Sequence, residues 1–150
     1  MSKKFPRRLS RSLAVQALYN YKLNKADVID LEKVLNEFER ELYDHANYEL
    51  MHSLIEKSIL KFDEMLDCYQ QYLQREISAI NLIEQIILVI AAVELTDDLN
   101  VPTVVIINEA IELSKLYGGS DSHKFINNLV DKLAKQLRGN EVRTQDKLCK

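Results

Sequence analysis

The run INLIEQIILVIAAVEL, residues 80–95, sets the tightest limit on what this chain can fold into. Asn81, Glu84, Gln85 and Glu94 are its polar residues, and the remainder is apolar nearly all round the helical circumference. A helix with no polar face must be covered on every side, so this one belongs in the middle of a bundle. It falls short of the roughly 18 uninterrupted apolar residues that a membrane span needs.

The rest of the chain supplies amphipathic partners. Leu9, Leu13, Ala14, Ala17, Leu18 and Tyr21 form an apolar stripe that predicts a helix from Leu9 to about Leu23. Val28, Leu31, Val34, Leu35, Phe38 and Leu42 predict another over 28–43, and Leu50, Leu54, Ile55, Ile59, Phe62, Leu66 and Tyr69 a third over 48–72. Pro102 stops the chain after the apolar run, with Thr103 placed to cap a helix over 104–117. Gly118 and Gly119 end that helix in the left-handed conformation open to glycine. Ser120, Asp121 or Ser122 then caps a last helix whose stripe is Ile126, Leu129, Val130, Leu133 and Leu137. With three Gly, two Pro and no Trp, the composition agrees with long helices and an all-α fold. The expectation is one compact helical domain over residues 1–138, entered by a basic arm over 1–8 and followed by a polar, frayed tail over 139–150.

Several chemistries lack their residues. Cys68 and Cys149 form no CxxC or Cys/His pattern, and His45, His52 and His123 make no HExxH pair, so no metal or other cofactor is expected. The glycine pair lacks the Lys-Ser/Thr of a phosphate loop. Ser122 and His123 are adjacent on a helix and point about 100° apart, which argues against a nucleophile and its base. No enzyme is expected. With no apolar signal segment at the N-terminus, a cytoplasmic location is expected.

The charge is unevenly spread. Lys3, Lys4, Arg7, Arg8, Arg11, Lys22 and Lys25 fall within the first 26 residues, which contain no acid, while the whole chain has 20 basic and 23 acidic residues. A basic segment on an acidic body points to a local polyanion contact rather than attraction over the whole surface. Arg8, Ser12 and Tyr19 fall near one line of the first helix, with Arg7 and Arg11 flanking it off the buried seam. A second cluster sets Lys124 and Phe125 at the start of the last helix. Arginines grip phosphates, and aromatic rings stack on unpaired bases, a combination suited to single-stranded RNA. The competing readings are a solvated charged face for the arginines and a core-edge ring for Phe125.

Three stretches carry a resemblance. RRLSRSLAVQALY (7–19), VPTVVIINEAIELSKLYG (101–118) and SDSHKFINNLVDKL (120–133) resemble the NusB family of transcription antitermination factors, in the family's order. The resemblance implies an all-α bundle of about seven helices in two packed halves and no catalysis. It implies binding to the boxA element of ribosomal RNA leaders together with ribosomal protein NusE, and indirect association with other Nus factors and RNA polymerase. It assigns RNA contact to Arg7, Arg8, Arg11, Gln16 and Tyr19, to Tyr72, and to Asp121, Lys124 and Phe125, with Phe125 exposed to meet RNA. Glu84 lies in the region associated with NusE, and an apolar partner surface there would allow a homodimer when NusE is absent. Leu9, Val89 and Asn128 depart from the family's usual residues at their positions. The INEAIEL segment reads as packing, with Asn108 and Glu109 structural. The rivals are a helical protein adaptor without specific RNA recognition and, since similar domains occur fused to rRNA methyltransferases, a module that acts with a separate enzyme chain.

Overall fold

A computed structural model describes residues 4–24 and 47–139. Among them are six α-helices: α1 (Lys4–Asn24), α2 (Tyr48–Leu60), α3 (Phe62–Asp67), α4 (Leu82–Asp97), α5 (Thr103–Tyr117) and α6 (Ser122–Leu137). Two short 3-10 helices, Gln70–Tyr72 and Ile77–Ala79, lie between α3 and α4, and no strand occurs among the described residues. The all-α expectation holds, with six described helices against about seven expected. The helix expected over 28–43, His45 and the tail from 140 onward lie outside the described residues. The chain divides into two compact units, Met1–Leu60 and Lys61–Lys150.

In the first unit α1 packs on α2. The helix begins at Lys4, ahead of the expected Leu9, so Arg7 and Arg8 stand on its first turns. Its buried face is wider than the apolar stripe foretold, since Ser10, Arg11 and Val15 join Leu13, Ala14, Ala17 and Leu18 inside. Ser10 is buried because it is paired. Its hydroxyl donates to the Asn47 carbonyl (2.9 Å) and accepts the Asn47 N–H (2.7 Å). Asn47 in turn caps α2 through Oδ1, which accepts the Leu50 N–H at 3.1 Å.

The second unit is built round α4. Ten consecutive residues, Ile86 to Leu95, are buried, and α3, α5 and α6 all pack on this helix. Each large aliphatic side chain so covered contributes on the order of 2 kcal/mol of transfer free energy. The polar residues at its start are used locally. Asn81 is the N-cap and accepts the Ile83 N–H (2.8 Å), while the Gln85 carboxamide donates to the carbonyls of Ser78 and Ile80. Tyr69, fully buried, donates its hydroxyl to the Leu88 carbonyl at 2.7 Å.

Four details differ from the sequence expectation. The helix expected over 48–72 is broken at Lys61, where neither Gly nor Pro marks a stop. There the Lys61 ammonium reaches the Asp97 carboxylate at 2.9 Å, and α3 turns to pack on α4. Thr103 does not cap α5: it is the first helical residue, is buried, and offers its hydroxyl to Arg138. Gly118 is not left-handed (φ −89°, ψ 178°), and its role is close approach. A Cβ there would stand 2.6 Å from the Ser122 Cβ and 2.7 Å from the Ser114 carbonyl oxygen. Leu137 is exposed, and Ala134 takes the last buried place on α6.

Arg138, just past α6, closes the unit. Its buried guanidinium donates to the carbonyls of Glu94, Leu95, Asp98 and Val101 and to the Thr103 hydroxyl, over 2.6–3.3 Å. Those carbonyls lie at the C-terminal end of α4 and in the turn beyond it, where helical backbone lacks partners and the dipole favours a cation.

Candidate nucleic-acid interface

On α1 the outward face follows from helical spacing. Arg8, Ser12, Gln16 and Tyr19 recur at steps of three and four residues, so they line one side of the helix. Arg8 and Gln16 are exposed, and Ser12 and Tyr19 are half-buried. Arg7 is also exposed. Arg11 is not, at 3% exposure, which corrects the expectation that it flanks this face off the seam. At 3.6 residues per turn, position 11 points towards Ala14 and Val15 on the packed side, so Arg11 holds structure and offers no open guanidinium. The surface of α1 that remains is a guanidinium, an amide and a phenol in line, with Arg7 beside the first turn.

In the second unit the relevant residues gather along α6. Asp121, Ser122 and Lys124 open the helix, with Asp121 and Lys124 exposed. Asp121 stands at the N-cap but makes no side-chain cap bond. The Ser122 hydroxyl instead accepts the Gly119 N–H at 3.0 Å and pins the incoming turn. Phe125 is half-buried rather than fully exposed, because the Arg75 guanidinium carbon lies 5.6 Å from its ring centroid. That distance is inside the roughly 6 Å over which a cation is held by a ring.

Tyr72 belongs to the same side of α6 but to its far end. Its hydroxyl donates to Gln136 Oε1, with the Lys132 carbonyl 3.3 Å away, and the Gln71 amide reaches the same Gln136 oxygen at 2.7 Å. Partial burial, and then the neighbouring Cys68, push the Tyr72 phenol above its ordinary value. Phe125 and Tyr72 are therefore brought to one face, since positions 125, 132 and 136 align on a helix, but they do not form one aromatic pair. Arg75 was missed in the sequence. It sits in an unremarkable LQRE stretch with no partner in sequence range, and only the tertiary contact with Phe125 reveals it.

Glu84, half-buried, stands in the first turn of α4 beside half-buried Leu82 and Ile83. Its carboxylate complements the positive end of the helix. Among the described residues no group of three metal-binding side chains occurs, and no helix is long and apolar enough to cross a membrane.

The described residues are all-helical, with a basic first helix and a second cationic and aromatic cluster at the start of the last one. A sequence model of the NusB family matches residues 8–135. The chain is 37% identical over 142 residues to the transcription antitermination protein NusB of Aromatoleum aromaticum, covering 95% of this chain and 97% of that one. It is 40% identical over 144 residues to the protein of the same name from Chromobacterium violaceum, covering 95% of each. Its structure is similar to that of T. maritima NusB, with a TM-score of 0.73 and 27% identity over 87% of this chain and 91% of that chain. The chain belongs to the NusB family.

Proposed function

We propose that this chain is a transcription antitermination factor that binds single-stranded RNA of the boxA type, in the leaders of ribosomal RNA operons, together with ribosomal protein NusE. The observation that carries the reading is the family match, which spans residues 8–135 and so includes the α1 face and the start of α6. The relatives' shared designation as antitermination proteins supports the role in transcription.

The mechanism is assembly rather than chemistry. Arg7 and Arg8 hold phosphates, while Tyr19 and Phe125 offer stacking surface to bases that are already unpaired, each stacked base being worth about 1–3 kcal/mol. Gln16 and Lys124 add a hydrogen-bonding group and a charge, and Asp121 trims the affinity by repelling phosphate near Lys124. NusE docks near Glu84 and enlarges the composite surface, and the assembled complex engages other Nus factors and RNA polymerase in the cytoplasm. Without NusE the same apolar surface favours self-association.

The test is equilibrium binding of labelled boxA RNA against a scrambled RNA at one salt concentration, with and without NusE. The expected result is preference for boxA that NusE strengthens, with Arg8→Ala weakening binding about five- to tenfold at unchanged helicity. Equal, weak and steeply salt-dependent binding to both RNAs would reject the reading and favour a protein adaptor with an incidental basic helix.

A further inference from the structure

Residues 70–77 lie along one side of α6. Gln71 and Tyr72 reach Gln136, and Arg75 reaches Phe125 on the same face. The segment is closed on itself by one side chain. The Gln70 carboxamide donates through Nε2 to the Arg75 carbonyl (2.9 Å) and accepts the Ile77 N–H through Oε1 (2.8 Å). Both polar ends of a single amide thus span the loop that carries Arg75, fixing its backbone on either side of Glu76.

The Arg75 side chain is exposed, and among the described residues no carboxylate pairs with its guanidinium. Its partner is the Phe125 ring. A guanidinium held only over a ring keeps its five N–H donors for an outside acceptor. Unpaired bases stack on guanidinium planes as they do on aromatic rings. Lys124, exposed and next to Phe125 in the chain, adds a second cation.

We infer that Arg75 and Phe125 form one composite seat for an unpaired base of single-stranded RNA and its adjoining phosphate, and that Gln70 is the positioning residue that sets Arg75 in it. The inference rests on the RNA-binding reading above and changes it in one respect: Phe125 works as the lower layer of a two-layer platform and not as a bare ring. The guanidinium supplies the upper layer and, through its edge, the phosphate contact.

The experiment is RNA binding followed by fluorescence anisotropy on the full chain. It compares wild type, Arg75→Ala, Arg75→Lys, Gln70→Ala, Gln70→Glu and the Gln70→Ala/Arg75→Ala double variant, each checked for helicity. Arg75→Ala weakens binding about five- to twentyfold. Arg75→Lys, with charge but no planar fork, restores less than half of that loss on a logarithmic scale. Gln70→Ala costs about threefold in the wild-type background and nothing further once Arg75 is alanine, the signature of one group acting through the other. Gln70→Glu keeps the acceptor for the Ile77 N–H but loses the donor to the Arg75 carbonyl, so it reproduces the Gln70→Ala loss even where alanine disturbs the fold.

Wild-type binding that Arg75→Ala leaves intact overturns the composite seat while the RNA reading stands. Full rescue by lysine reduces Arg75 to a point charge and overturns the stacking role. A Gln70 effect that persists undiminished in the double variant overturns the positioning role. A wild-type chain that binds no RNA overturns the functional reading, and this inference with it.

Discussion

Arg8 and Tyr19 share a surface because a single helix brings positions 8, 12, 16 and 19 into line, whereas Arg75 and Phe125 share one although one lies before α4 and the other opens α6. The first surface is laid out by helical spacing along α1. The second needs the Gln70 clamp, the contacts of Gln71 and Tyr72 with Gln136, and α6 held against α4 and α5. The register of a face along one helix is set locally. A corner assembled from separate segments fails when the packing behind it gives way.

The hardest test of that contrast is Arg138→Ala. Removing a buried guanidinium that holds four carbonyls and the Thr103 hydroxyl leaves the end of α4 uncapped, at a cost of about 3–5 kcal/mol. The expected fall in Tm by calorimetry is on the order of 10 °C, against about 1 °C for exposed Arg8→Ala. Equal melting of the two variants would mean that the Arg138 contacts do not hold the second unit together.

Tyr69→Phe asks the same question with a smaller perturbation. The hydroxyl bond to the Leu88 carbonyl contributes about 1 kcal/mol, and burial holds the phenol well above its ordinary value of 10.0. Because the folded pKa is raised, the contribution is complete below the unfolded pKa near 10 and is lost as pH rises towards the folded value. Lys61, raised by its hydrogen bond to Asp97, acts in the same direction. Denaturant titrations at pH 8 and pH 11 should therefore show stability falling with pH in the wild type and falling less in Tyr69→Phe. Identical slopes would mean that Tyr69 is not sealed in the core.

The smallest effect is expected at the corner itself. Asp121→Asn removes an exposed carboxylate near Lys124 and should tighten RNA binding about two- to fivefold at low salt, fading as salt rises. Unchanged or weaker affinity would show that Asp121 is not repelling phosphate.

Periodicity made most of the helical frame legible. The apolar run over 80–95 became the buried centre of the second unit, and Ile126, Leu129, Val130 and Leu133 went inside as spaced. What escaped was set by contacts between elements. Nothing local breaks the helix at Lys61, which pairs with Asp97 far along the chain. Arg11 looks like a surface cation by type, but its angular position turns it inward with Ala14 and Val15. Gly118 invited a conformational explanation and has a steric one. Arg138, where the sequence sets the end of the helical domain, ties its guanidinium to the end of α4. Of the candidate site, the α1 face was readable apart from Arg11, while Arg75 and its Gln70 clamp could not be seen before the fold joined residues 70–77 to α6.

The most direct measurement is a heteronuclear NMR titration of the isotopically labelled chain with boxA RNA. Shifts should concentrate on two separate sets, Arg8, Gln16 and Tyr19 on α1 and Arg75, Lys124 and Phe125 at the α6 corner, with a scrambled RNA producing much smaller changes. Shifts spread evenly over basic residues with either RNA would contradict selective binding of boxA RNA at these two sets of residues.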